Sequence, residues 1–550
     1  MQLPAGEWVV RFKYSPDAFK LGGLISLIAA ISLLFGLGVW AWRYFYQESA
    51  AGGSTARRVA KNSLAPMALN LMNRGIDLIF AAFYLRVLGP EASGKYYFAI
   101  VVFGWFEIVT NYGLNTLLTR DVSRDKGHAN RYLVNTTLLR LLIGAAATPG
   151  LALLLTARQL LPNPLTADTL WAIALLVLAQ IPATVSTGLS ALFYVYEKAE
   201  YPAAVATVST ILKVVLGAAA LVVGWGFVGL AGVSMAVNLV TLGILATLVV
   251  RLFFRPQWEP DWSLQRSAVR ESFPLMLNHL LATLFFKVDV PLLETVRNQQ
   301  QAGRGNLEVG WYNTAYKFVD AYNVIPSFFT FALFPVMSRQ AVEDRAALKR
   351  SYALAVKLLV AVALPLAALT AFLAPVMVGL LGGREFLPDG ALALSIMVWS
   401  IPFGWINSVT NYLLIALNQQ RDLTKAFAFA LGFNVIANLV LIPIYGYPAA
   451  AAVTIASEIF EGAWFYFYLR KSLGPIPWVG WLWQLGISGL VMVGVLWGLW
   501  RVQPIIAVIA GLGLYAAGLI RLGTFTADER AVLAGILPAR VREKLKPQST

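Results

Sequence analysis

Fifteen apolar stretches divide this chain almost from end to end, at 21–42, 63–86, 96–118, 132–156, 169–192, 202–223, 229–251, 273–296, 310–337, 351–381, 390–417, 424–444, 447–469, 480–500 and 503–521. About 20 apolar residues cross a hydrocarbon core of about 30 Å as a helix, and a helix pairs its own backbone N–H and C=O groups where no water can. The chain therefore reads as an all-α polytopic membrane protein with 14 or 15 transmembrane helices, numbered here as spans zero to fourteen. Only 13% of its residues are charged, against roughly 25% in soluble domains. With no cysteine and only two histidines, His128 and His279, disulfides, thiolate nucleophiles and zinc sites of Cys or multi-His type are excluded. No metal or cofactor is expected.

The net charge of +15 follows the membrane, with no nucleic-acid partner expected. If the linker between spans zero and one lies in the cytoplasm, the loops on that side hold 27 Lys and Arg residues and the opposite side ten. An excess of basic residues in cytoplasmic loops sets orientation, so the protein is expected in the cell membrane with its C-terminus in the cytoplasm. A single cysteine introduced in 297–309 of this cysteine-free chain is expected to be labelled from outside, and one in 255–272 not. Reversed labelling would overturn the orientation.

An internal repeat organises the spans. Gly94-Lys95-Tyr96-Tyr97 after span one matches Gly310-Trp311-Tyr312-Asn313 after span seven at an offset of 216. Ser123-Arg124 matches Ser338-Arg339 at 215, and Trp225–Ala231 matches Tyr445–Ala451 at 220. Because the repeated unit has six spans, both copies begin on the same side and an axis along the membrane normal relates them. The expected domains are an N-terminal extension with an extra helix and basic linker (1–60), a first six-helix lobe (61–254), a cytoplasmic inter-lobe loop (255–272), a second lobe (273–470), two C-terminal helices (471–521) and a cytoplasmic tail (522–550).

No loop is large enough for a soluble catalytic domain, so an enzyme is not expected. Gly89-Pro90-Glu91-Ala92-Ser93-Gly94-Lys95 has phosphate-loop spacing, but Tyr96 replaces the magnesium-binding Ser or Thr and no strand precedes it. Ionisable residues within spans are costly and turn toward a partner or a wet cavity. Six are basic: Arg74, Arg140, Lys213, Lys287, Lys317 and Lys357. Span one carries Asn70, Asn73, Arg74 and Asp77 along one face, and span two carries Glu107, Asn111 and Asn115. Spans seven and eight carry Lys287, Asp289, Lys317 and Asp320, and span twelve carries Glu458 and Glu461. Arg74 with Asp77, and Lys317 with Asp320, are spaced as neutralising pairs within a helix. Asp77, Glu107, Asp289 and Asp320 are the titratable candidates for ion coupling. Gly494 and Gly498 form a GxxxG expected to mark close helix packing.

The segment Val309–Lys317, followed by Leu333-Phe334-Pro335-Val336-Met337-Ser338-Arg339, resembles the start and end of the eighth helix of polysaccharide and O-antigen flippases of the multidrug/oligosaccharidyl-lipid/polysaccharide (MOP) exporter superfamily. Tyr84–Pro90 with Gly94 and Tyr96 resembles the first-lobe turn, and Lys287-Val288-Asp289 is similar to the basic-x-acidic element of the seventh helix. The resemblance covers about residues 60–521 and departs from the usual pattern at span zero. It implies alternating-access translocation of an oligosaccharide on a polyprenyl pyrophosphate from the inner to the outer leaflet, for cell-surface polysaccharide assembly. The implied partners are the lipid-linked oligosaccharide, membrane lipids, and polymerase and assembly proteins. Substrate contacts are then expected at Arg74, Arg140, Lys213, Lys287, Lys317, Asn70 and Asn111, with arginine the better phosphate ligand because its planar fork keeps its charge. The alternatives are an ion-coupled drug or metabolite exporter of the same fold, a lipid II flippase, and a membrane glycosyltransferase, the last disfavoured by the short outer loops.

Overall fold

The structure, a computed structural model, describes residues 55–526 with 529 and 530, and side chains from Leu69 onward. Expected span zero and residues 531–550 of the tail lie outside the described residues. Among the described residues the chain forms helices and no strand. α1 (Thr55–Asn111) and α2 (Leu114–Arg124) cover spans one and two, followed by α3 (Ala129–Gln159), α4 (Ala167–Val195), α5 (Glu200–Val223) and α6 (Gly226–Leu252). Span seven is α7 (Trp262–Lys287) with α8 (Asp289–Gln300), and span eight is α9 (Arg304–Tyr322) with α10 (Val324–Glu343). Next come α11 (Arg345–Gly382), α12 (Asp389–Met397) with α13 (Ile401–Ala416), α14 (Gln420–Tyr445), α15 (Tyr447–Leu473), α16 (Trp478–Leu499) and α17 (Pro504–Arg521).

Eleven helical stretches of the described residues are long and apolar enough to cross a membrane, or twelve with the bent α7–α8 pair. Two features separate this from the fourteen spans read over the same residues. Leu69–Arg124 runs as one stretch of 56 residues, although Gly89, at φ 72°, breaks α1 in two; that left-handed φ suits a residue without Cβ. α15 carries Glu458 and Glu461, which lower its apolarity.

The described residues fall into two compact units: residues up to Leu88 with Ala174–Pro256, and Gly89–Ile173 with the residues from Gln257. In the first, Phe80 of α1 packs where a Cβ at Gly217 of α5 would stand 2.7 Å from its ring. Ser209 meets Thr241 at 2.6 Å, and Asn238 donates to the Ala179 carbonyl at 2.9 Å. Small and hydroxyl residues thus bring helices together where apolar side chains gain nothing over lipid.

In the second unit, Asp261 caps α7 by accepting from the N–H groups of Ser263 and Leu264. Arg131 of α3 reaches the same carboxylate, Nε to Oδ2 2.8 Å. Hydrogen bonds from Ser263 first, then from Arg131, hold the Asp261 carboxyl well below the usual carboxylate range. α16 and α17 pack on one another and α16 on α11. Their close approach uses Gly518, whose Cβ would stand 2.5 Å from Ser488 Oγ, and Gly511, 3.4 Å from Met492. Gly494 and Gly498 meet nothing within 4 Å, so the expected GxxxG packing is corrected: these glycines face away from the helix pair.

Candidate functional site

Besides the 3-10 turn between α12 and α13, three spans in the second unit are discontinuous. Between α1 and α2 the backbone turns left-handed at Tyr112 (φ 52°) and Gly113 (φ 71°). α7 and α8 meet at 45°, with Lys287 and Asp289 on either side of Val288. α9 gives way to α10 at Asn323. Breaks of this kind free backbone groups and are tolerated in membranes where they border protein or a wet cavity.

The breaks in spans seven and eight border a cavity of about 410 Å³. Lys287 Nζ donates to Tyr97 Oη at 3.0 Å and to Asp320 Oδ2 at 3.3 Å, and stands 3.7 Å from the Tyr316 ring centroid, a cation–π placement. Behind it, Asp289 is buried and accepts from the Tyr312 hydroxyl. The Tyr316 hydroxyl lies 3.0 Å from Asp289 Oδ2 and 2.8 Å from the Phe286 carbonyl, its one proton shared between them. On the opposite wall, Asn407 of α13 donates through Nδ2 to Glu458 Oε2 at 2.8 Å and faces Glu461 Oε2 at 3.2 Å. Gly404 leaves room, since a Cβ there would stand 3.1 Å from Glu458 Oε1. The cavity is lined by three carboxylates, Asp320, Glu458 and Glu461, against one lysine. Two carboxylates held by one amide in a low dielectric repel each other.

A second feature joins the starts of spans two and eight. A Cβ at Gly94 would fall on the Asn306 carbonyl and 2.9 Å from Gly310 N, while one at Gly310 would fall on the Pro90 carbonyl. Pro90 with Asn306, and Gly94 with Gly310, each stand 216 residues apart, the offset of the sequence repeat. The contact is reciprocal, as two copies related by an axis would make it. Beside it, Arg158 at the end of α3 pairs with Glu294 of α8 at 3.0 Å, with side chains 6% and 1% exposed, and Asn298 Nδ2 donates to Glu294 Oε1 at 2.7 Å. Glu308 receives Arg297 at 3.0 Å, Arg304 at 2.8 Å and the N–H of Tyr447 at 3.0 Å. Arg158, Arg297 and Arg304, three of the ten basic residues counted on the non-cytoplasmic side, gather here on two buried carboxylates.

The expected site residues are placed as follows. Lys287, Asp289 and Asp320 come together, and Lys317 stands three residues before Asp320 on α9, half-buried. Asp320 is paired with Lys287, at the break in span seven, at 3.3 Å. In the first unit Asp77 is paired with Lys213 of α5 at 2.5 Å; Arg74 and Asn70 are exposed, and Arg74 has no ion pair among the described residues. The expected Arg74–Asp77 pair is therefore corrected: the longer lysine of another helix reaches the carboxylate. Asn111 ends α1 at the break in span two, Glu107 stands one turn before it, and Arg140 of α3 donates to Asn115 just after it. Sequence reasoning passed over Tyr97, Tyr312, Tyr316 and Asn407. It noticed Glu458 and Glu461 without assigning them, although two carboxylates three residues apart in a span were the signal.

Comparison with known proteins adds the family. No curated sequence matches the chain. Among solved structures, the lipid II flippase MurJ in an inward closed conformation is similar with a TM-score of 0.64 at 13% identity, over 83% of this chain and 98% of that one. An inward-facing multidrug resistance MATE family transporter of the MOP superfamily gives 0.59 at 15%, over 76% and 98%. A MOP superfamily transporter from Pyrococcus furiosus gives 0.56 at 15%, over 76% and 97%. At such identities the likeness is one of fold. The model of the polysaccharide biosynthesis proteins matches residues 59–341, more than half of the 550 residues, and so the chain belongs to the polysaccharide biosynthesis protein family, on the fold of the MOP superfamily.

Proposed function

We propose that the protein is a flippase that carries a lipid-linked oligosaccharide from the inner to the outer leaflet of the cytoplasmic membrane by alternating access, supplying cell-surface polysaccharide assembly. The family match over residues 59–341 carries this reading. The two broken spans at Lys287 and Asn323 support it, because repeat-built transporters bind substrate and coupling ions at such breaks. The acid excess of the cavity suits a proton or metal cation better than a pyrophosphate, so in this reading Asp320, Glu458 and Glu461 serve the driving ion, with Asp289, Asp77 and Glu107 as further candidates. The substrate head group belongs with the cations Arg74, Arg140, Lys213, Lys287 and Lys317 and with Asn70 and Asn111.

The acid excess also favours the second reading, an ion-coupled exporter of cationic compounds. Proteoliposomes separate the two. With a polyprenyl diphosphate oligosaccharide in the inner leaflet, translocation is expected to follow an imposed pH or sodium gradient, and Glu458→Gln with Glu461→Gln is expected to cut the gradient response about tenfold or more, as loss of a coupled ion site worth at least 1.4 kcal/mol would. Transport of a lipophilic cation with no movement of the lipid-linked glycan would overturn the flippase reading.

A further inference from the structure

We infer that the break in span two holds a buried oxyanion site, centred on Arg140, for a phosphate-class group. Arg140 of α3 is 0% exposed. Its Nη2 donates to Asn115 Oδ1 in the first turn of α2, while Nε and Nη1 have no hydrogen-bond partner. No carboxylate among the described residues forms an ion pair with it; Glu107, two turns before Asn115, makes none. The guanidinium is therefore a full charge withdrawn from solvent with one neutral amide against it, and buried charges persist where an opposite charge meets them. Water beside the idle N–H groups would satisfy them and leave the charge uncompensated. An anion does both.

The surroundings fit an anion in three further respects. α2 is an 11-residue helix whose N-cap, Gly113, gives no side chain to the first-turn N–H groups, and a helix N-terminus favours negative charge. Ser272 of α7, 0% exposed, keeps an unpartnered hydroxyl, and its carbonyl would lie 3.6 Å from a Cβ on Gly113. Asn111, the last residue of α1, has an idle buried Oδ1 that accepts from a protonated phosphate or turns its amide to donate. The idle N–H groups of a guanidinium match the oxygens of a phosphate-class anion better than a halide. Only the assignment of the oxyanion to a lipid carrier rests on the flippase reading; the site itself stands on Arg140 and the break.

The test is a ligand titration of the purified full chain in detergent, read as the thermal unfolding midpoint at constant ionic strength. The probes are inorganic phosphate, inorganic diphosphate, a short prenyl diphosphate and chloride. Inorganic diphosphate is expected to raise the midpoint saturably at concentrations at least tenfold below chloride, with Arg140→Gln shifting half-saturation tenfold or more upward and Arg140→Lys falling between. Half-saturation by the prenyl diphosphate tenfold below the inorganic ion would identify a lipid head group, and equal values a free phosphate. If Arg140→Gln does not fold, Ser272→Ala and Asn115→Ala are titrated in its place, each expected to weaken binding severalfold. Identical titrations for the wild type and these variants, or chloride matching diphosphate, would overturn the site. Because the readout is binding, a protein that takes diphosphate and does not flip the glycan would sink only the flippase reading.

Discussion

Leucine in place of Gly310 is expected to abolish transport while the protein remains folded in the membrane. The new side chain begins on the Pro90 carbonyl, a backbone atom that no rotamer change moves aside. The starts of spans two and eight then cannot close on each other. Overpacking costs about 1–3 kcal/mol, and at the upper end the closed state loses about a hundredfold in population. Gly94→Leu is expected to act alike through the Asn306 carbonyl. Asn163 and Gln299 report the closure, since Asn163 N stands 3.3 Å from Gln299 Oε1. Cysteines at these two positions of a chain without others should be joined by a short thiol crosslinker, and Gly310→Leu should reduce the yield in step with transport. Unchanged crosslinking together with unchanged transport would show the crossing to be dispensable.

The second large effect concerns the ion pair beside that crossing. Glu294→Ala leaves Arg158, 6% exposed, without its counter-charge, and breaking one side of a buried pair costs about 3–5 kcal/mol. The unfolding midpoint in detergent should fall steeply. Replacing both partners, Arg158→Met with Glu294→Leu, should recover much of the loss, because the penalty comes from the stranded charge more than from the missing attraction. If Glu294→Ala and the double variant melt together, at or near the wild-type temperature, the pair holds nothing.

The helices were legible in the sequence because a membrane imposes a length and an apolarity on each one, and these survive without knowledge of any neighbour. The breaks inside the spans were not. Pro291 and Pro326, three residues after Val288 and Asn323, imply kinks nearby, but the place of each break, and the left-handed turn at Tyr112, answer to what packs around them. Charge pairing shows the same divide. Spacing offered Asp77 a partner on its own helix in Arg74, and the fold gave it Lys213, 136 residues away. Arg158, Arg297 and Arg304 informed the orientation as loop cations, and nothing in their number disclosed that Glu294 and Glu308, each 1% exposed, gather them into a buried network. Lys287, Asp289 and Asp320 were found because a charge inside an apolar span is conspicuous. Asn407 and the tyrosines that complete their surroundings are ordinary residues in such a span.

The reciprocal glycine contact has an evolutionary arithmetic. Between two identical subunits a self-complementary patch repeats every change, so one mutation is felt at two places at once. Here both halves of the patch lie in one chain, Pro90 with Gly94 and Asn306 with Gly310, and each half is inherited separately. A substitution at Gly94 burdens one crossing and leaves its counterpart intact. The two crossing points are therefore free to differ in strength.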